Sequence, residues 1–239
     1  AFHISGSRGV HAQRNTHPMN QKIVLSWSGG INSVLMLHRL LEQGEHEILA
    51  LITMVLAGES KIVMHEVPQA LLEAQACALG FPLYTLEVPR DAGNAAYEEK
   101  FTGLLKRLKR RNVDSIAFGD IFLEDMRTYR ESFLHTVGMQ PLFPLWKIDS
   151  RTLAEEFMEL GFKGVTVCVD GRMLDSSFAG REMDTEFFKE LPRGVDPCGE
   201  NGEFHSFVYD GPLFKDRLRF TKGEVTQRGA IYYCDLTAQ

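Results

Sequence analysis

From Lys22 onward, short apolar runs alternate with longer amphipathic stretches. KIVLSW (22–27) leaves no room for a helix before the glycines at 29 and 30, so it predicts a buried strand. INSVLMLHRLLEQG follows, with Val34, Leu37, Leu40 and Leu41 at helical spacing and Gly44 as a stop. Further strands are predicted over 47–55 (EILALITMV), 82–88 (PLYTLEV), 114–120 (DSIAFGD) and 165–170 (VTVCVD). Helices are predicted over 67–80, with Pro68 near its start and Gly80 at its end, and over 95–111, whose basic last turn suits the helix dipole. Two more fall over 123–138 and 150–161. This alternation implies βαβ units, hence an α/β fold whose parallel sheet carries helices on both faces. Ligands of such sheets bind beyond the carboxyl ends of the strands, which is where Ser26–Ser33 and Gly119–Asp120 fall.

Past about residue 175 the alternation stops. REMDTEFFKELP predicts one short helix, GVDPCGENGEFHSF a loop, and RLRFTKGEVTQRGAIYYCDL two short strands around Arg228 and Gly229. The expected organisation is a tail over 1–20, an α/β domain over 21–170 and a small C-terminal α+β region over 171–239 that binds substrate. Residues 1–18 are polar and aperiodic, and Met19 reads as a natural start. On that reading His3, His11 and His17 are not functional metal ligands.

Composition narrows the function classes. With Lys+Arg 26 against Asp+Glu 32 the net charge is −6, so nucleic acid is not an expected partner. Cys77, Cys168, Cys198 and Cys234 form no C-x-x-C pair, which argues against a zinc ribbon or a dithiol redox site and fits reduced thiols in a cytoplasmic protein. No apolar run nears the roughly 20 residues of a membrane helix. A homodimer is compatible with all of this.

The segment with the most chemistry is Ser26-Trp27-Ser28-Gly29-Gly30-Ile31-Asn32-Ser33, between a buried strand and an amphipathic helix. Its glycines permit a tight turn that gathers N–H groups at a helix N-terminus, and Ser26, Ser28 and Ser33 can add hydroxyls. Together these make a cradle for phosphate or pyrophosphate. The competing reading is a plain strand–helix turn with serine as a cap. Neither the Walker A pattern nor G-x-G-x-x-G is present.

S-G-G-x-[DN]-S in this position resembles the PP-loop of the ATP pyrophosphatases. Met64-His65, QALLEAQACALGFPLY, GDIFLEDMRTYRE (119–131), PLW (144–146) and DPCGENGEFHSFVYDGPLF (196–214) resemble the diphthine–ammonia ligase family and its bacterial-type relatives. The resemblance runs from about Lys22 to the C-terminus. It implies a Rossmann-like, adenine nucleotide alpha hydrolase-like fold and an AMP-forming ligase using ATP, Mg²⁺ and ammonia. In that reaction a carboxylate is adenylated with loss of pyrophosphate, and ammonia then displaces AMP to leave an amide. The family's acceptor in eukaryotes and archaea is diphthine on translation elongation factor 2. The acceptor here, whether or not it is protein-borne, is not implied. The family commonly has Lys then Asp where Ile31 and Asn32 stand. Asn32 removes a charge and swaps an acceptor for a donor.

The resemblance and the spacing together give a candidate site. Ser26, Ser28, Gly29, Gly30, Asn32, Ser33, His65 and Gly119 are expected to hold ATP. Asp120 ends a strand, where a carboxylate reaches ribose, Mg²⁺ or the acceptor. Arg127 and Glu131 match the family's R-x-x-x-E at helical (i, i+4) spacing, with Arg130 beside them; spacing alone favours a solvated ion pair, and the family-like GDI context favours a functional role. Glu200 and Glu203 match the family's GExGE and are assigned with those three to catalysis, through acceptor binding, ammonia handling or metal. Asn201 and His205 are assigned to substrate, His205 also as a proton shuttle or a packed ring. No metal ligand set is specified. The rival reading is a nucleotide-binding regulatory protein weakened by Asn32. Another PP-loop reaction, such as tRNA thiolation, would favour a cysteine pair, which is absent.

Overall fold

The computed structural model describes residues 21–90 and 94–239. The expected tail, Met19 and the three early histidines lie outside the described residues.

Strand β1 (Gln21–Ser26) leads into α1 (Ile31–Gln43), β2 (His46–Leu56), β3 (Lys61–Ile62), α2 (Gln69–Leu79) and β4 (Leu83–Val88). Then come α3 (Asn94–Lys109), β5 (Ser115–Ala117), α4 (Glu124–Thr136), β6 (Gln140–Leu142) and α5 (Ser150–Glu159). Strands β4, β2, β1, β5 and β6 lie side by side in parallel, and β3 adds a short antiparallel rung at the end of β2. This is the expected Rossmann-like parallel sheet. Ile23, Val24 and Leu25 are all fully buried because β1 is central. Ile23 and Leu25 join the cluster with α1 and α2, while Val24 joins the opposite face with Phe101, Leu105 and Leu134. Strand order diverges on either side of β1, which opens a crevice beyond β1 and β5.

One expectation is corrected. The run at 165–170 belongs to β7 (Lys163–Asp170), which does not extend the parallel sheet. It joins β8 (Phe204–Asp210), β10 (Ile231–Ala238) and β9 (Phe220–Arg228) in a four-stranded antiparallel sheet ordered β8-β7-β10-β9. An unbroken apolar run reports burial on both faces and not the direction of its partners, and β7 is an interior strand. The short helix is α6 (Thr185–Glu190), capped by the Asp184 carboxylate. The expected loop over 194–207 is a loop only as far as Glu203, because Phe204 onward belongs to β8, whose side chains are buried on both faces.

The two sheets meet along β8. Val208 N–H donates to the Gly29 carbonyl (2.9 Å), and the Ser206 hydroxyl accepts from the Ile31 N–H (3.1 Å). His65, after β3, stacks on His205 of β8 with ring centroids 4.2 Å apart. Burial drives both imidazole pKa values down, His65 well below its usual 6.5 and His205 to about 4. Beside them the buried Glu66 gathers Arg228 of β9 (2.6 Å), Arg90 (3.3 Å) and Lys61 (3.8 Å). Met64 and Glu66, on either side of His65, both have left-handed backbones (φ 66 and 54), which those ion pairs help to hold.

Two outcomes follow from this packing. Both rings stay neutral in the folded chain while unfolded histidines protonate near 6.5. Stability should therefore be full above about pH 6.5 and fall as pH drops through about 4. Urea titrations of His205→Phe, which keeps a ring to stack, should show this acid slope reduced by about one proton, roughly 1.4 kcal/mol per pH unit. Gly199 has φ +66, and an added Cβ would overlap the Phe204 carbonyl oxygen. Gly199→Ala should cost about 1–3 kcal/mol in the same titration.

Candidate functional site

The turn after β1 is built by its own hydroxyls. Ser33 Oγ accepts the Ser28 N–H (3.0 Å) and lies 3.0 Å from Ser28 Oγ, which in turn accepts the Gly30 N–H at 3.4 Å. The picture of a row of free amides therefore needs a correction. The Ser28 N–H is held from within the turn and the Ile31 N–H by Ser206, so the surface presented to a ligand is in good part hydroxyl. Gly29, at φ +81, makes the tight bend. Gly30 leaves room for β8, because a Cβ there would sit 3.0 Å from the Ser206 carbonyl.

A cavity of about 380 Å³ opens beside the turn, at the carboxyl ends of β1 and β5. Ser26, Ser28, Asn32 and Ser33 line one side. Gly119, Asp120, Arg130 and Glu200 line another, and Ile52, Met54, Met64 and His65 give an apolar flank. Gly119 lets β5 approach α1, since a Cβ would meet the Asn32 backbone at 3.1–3.2 Å. The sequence-predicted ATP set is thus gathered around one crevice, with Gly29 and Gly30 buried behind its wall.

The charged groups are paired across elements. Arg130 Nη2 donates to Asp120 Oδ1 (3.0 Å), its Nε lies 2.5 Å from Oδ2, and its guanidinium covers the Phe118 ring at 4.2 Å. Glu200 reaches over from the C-terminal loop. Its Oε1 accepts the N–H groups of Ile121 (2.7 Å) and Phe122 (3.4 Å), and its Oε2 accepts from Asn32 Nδ2 (3.1 Å). Burial, with the nearby Asp120 charge, lifts its pKa to about 7, against the lowering effect of the two amides. Asn32 Oδ1 is buried and has no hydrogen-bond partner among the described residues.

Other expected residues are placed differently. Arg127 and Glu131 do form the (i, i+4) pair (2.7 Å), but they are 33% and 45% exposed and do not line the cavity. Arg127 stacks instead on Trp146 (4.7 Å) and Phe143 (5.0 Å). Glu203 is 1% exposed and accepts from the N–H groups of Asp196 (2.9 Å) and Asn201 (3.0 Å) and from Asn201 Nδ2 (2.8 Å), so its carboxylate organises the loop. Asn201 lines a second, more open cavity with Lys147 and Arg151. His205 stacks behind His65 and is not among the residues of the main cavity wall.

Sequence reasoning passed over Trp27, Met126 and Ser206 and gave Arg130 second place to Arg127. Spacing could have flagged Arg130, which lies three residues from Arg127 on the same helix. Trp27 and Ser206 read as ordinary strand and loop positions. Gln75 was also missed, although a glutamine among Leu71, Leu72, Ala76 and Leu79 is visible in the sequence as a polar residue on an apolar helix face.

Known proteins resemble this chain over both sheets. Its residues 21–141 match the family model for the diphthamide synthase N-terminal domain, and residues 149–238 match that for the diphthamide synthase C-terminal domain. It is 30% identical to the diphthine–ammonia ligase of Bos taurus over 133 residues, 53% of this chain and 50% of that protein. It is 26% identical to that of Schizosaccharomyces pombe over 87% of this chain and 38% of that protein, and 27% identical to that of Mus musculus over 85% and 84%. The chain thus spans half or less of the bovine and fission-yeast relatives. A solved structure of the U34-tRNA thiolase NcsA from Methanococcus maripaludis, with its [4Fe-4S] cluster, aligns at a TM-score of 0.39 and 16% identity over 62% of this chain and 60% of that one. At that score the likeness carries no argument. The two domain models, in order and nearly end to end over the described residues, place the chain in the diphthamide synthase family.

Proposed function

We propose that this chain is an ATP-dependent carbon–nitrogen ligase of the diphthine–ammonia ligase type, which adenylates a carboxylate with release of pyrophosphate and passes it to ammonia. The observation that carries the reading is the crevice itself. Hydroxyls from Ser28 and Ser33 face a carboxylate and guanidinium from Asp120 and Arg130 across one cavity, and an apolar flank at Ile52, Met54 and Met64 suits a purine. Membership of the family and the names of the relatives support it.

Each residue then has a job. The Ser28 and Ser33 hydroxyls hold the phosphates, with the Gly30 N–H supporting Ser28 Oγ from behind, and Arg130 stabilises charge that develops as pyrophosphate leaves. Mg²⁺ fits the donors present. Asp120, Glu200 and the unpartnered Asn32 Oδ1 are hard oxygen ligands, and this ion needs only one or two carboxylates when phosphate oxygens complete its shell. When bound, it would neutralise the charge on the phosphates. Glu200, near pH 7 divided between its charged and neutral forms, is placed to orient the acceptor or to take a proton from ammonium and so free ammonia to attack. The acceptor would enter from the side of Asn201, Lys147 and Arg151.

The second reading, a nucleotide-binding regulatory protein with weakened catalysis, draws on Asn32. Its amide ties down Glu200, where a carboxylate would repel it.

A pyrophosphate-release assay with ATP, ammonium and carboxylate acceptors tests both readings. Wild type should turn over, and Arg130→Ala and Asp120→Asn should lose about 100-fold in rate. Arg127→Ala should stay within about threefold, because that guanidinium packs on Trp146 and Phe143 outside the cavity. Tight ATP binding without turnover in wild type, with turnover restored in Asn32→Asp, would establish the regulatory reading instead.

A further inference from the structure

Gln75 lies on the buried face of α2 and is fully inaccessible to solvent. A buried amide without partners is costly, so its bonds show what it is for. Its Oε1 accepts from Trp27 Nε1 (2.7 Å), and its Nε2 donates to the carbonyls of Gly29 (3.0 Å) and Val208 (2.5 Å). The orientation of the amide is forced, because the indole N–H can only donate. One side chain therefore ties α2, the end of β1, the glycine turn and β8 together.

The Gly29 carbonyl is the important end of this network. It accepts two N–H groups, from Gln75 Nε2 and from Val208, both on the protein side of the turn. Across a trans peptide the carbonyl of one residue and the N–H of the next point in opposite directions. Pinning the Gly29 oxygen inward therefore sends the Gly30 N–H the other way, toward Ser28 Oγ on the cavity wall. Within the local chain only that long contact (3.4 Å) favours this orientation, since Gly29 and Gly30 carry no Cβ and the peptide between them can rotate at little steric cost. Gly29 is matched to its clamp, because a Cβ there would lie 2.8 Å from Gln75 Oε1.

We propose that Gln75 is a positioning residue that fixes the Gly29–Gly30 peptide so that its N–H supports the Ser28 hydroxyl lining the anion site. The proposal rests on the nucleotide reading given above, and it adds that the phosphate end of the site is set from α2 by a residue that touches no ligand. The test uses Gln75→Met, which keeps the volume and loses the bonds, and Gln75→Glu, which keeps an acceptor for Trp27 and removes the amide donor. Inorganic pyrophosphate and adenosine are titrated separately into each folded variant. Pyrophosphate affinity should fall about tenfold or more in both, with adenosine affinity unchanged within about twofold. Equal loss of both ligands would mean that Gln75 only supports the fold, and unchanged pyrophosphate affinity in either variant would also overturn the proposal. A crystal structure of either variant decides the point without any ligand. A Gly29–Gly30 peptide that turns over or becomes heterogeneous supports it, and one that keeps its orientation sinks it. If wild type binds neither ATP nor pyrophosphate, the ligase reading fails, and the peptide's orientation in the variants still decides the part played by Gln75.

Discussion

The arrangement depends on β8 lying against the turn that follows β1. The turn contains two glycines, and its own Ser28 and Ser33 hydroxyl bonds leave the Gly29 carbonyl and the Ile31 N–H without a partner inside the turn. Its shape is completed from outside by Ser206, Val208 and Gln75, which between them engage those two groups. The antiparallel sheet therefore backs the turn from behind the crevice, and only Glu200, from the loop before β8, reaches the crevice wall. The acidic loop that precedes β8 inherits its position from the same contact, and Glu200 arrives beside Asn32 because Phe204–Asp210 is already docked.

The crevice balances opposite charges without caging them. Asp120 is satisfied by Arg130, and Glu200 by two backbone amides and a side-chain amide. Among the described residues no cluster of three or more acidic, histidine or cysteine side chains could hold a metal by itself. Asn32 keeps the empty crevice tolerable, because its amide gives Glu200 a donor at a point where another carboxylate would add repulsion and further desolvation cost.

Much of this was legible in the sequence. The β1–turn–α1 unit could be read to within a residue or so, because burial, glycine punctuation and helical spacing all change within ten positions. The C-terminal hairpin was legible for the same reason, with Arg228 and Gly229 marking its turn. Partners were not legible. VTVCVD carries no trace of whether its neighbours run parallel, and β6, with three residues, is too short to show a period. The site divides in the same way. Gly119, Asp120 and the serines were found from their place at strand ends. Arg127 and Arg130 share one helix and nearly one face, and only the packing of Trp146 and Phe143 against the first decides which enters the cavity. Glu203 has the residue type of a catalytic group and the bonds of a scaffold, a distinction that lies in geometry alone.

The meeting of the two sheets also bears on how such a chain can evolve. Because Ser206 and Val208 finish a turn that belongs to the other half of the polypeptide, neither half is a portable module. A recombination that brought in a foreign C-terminal sheet would have to supply a hydroxyl and a strand N–H at the same two points, or leave the glycine bend unsupported. One bond that joins the two halves runs from the Ile31 N–H to the Ser206 hydroxyl, 175 residues apart in sequence, and in it only the hydroxyl depends on residue type.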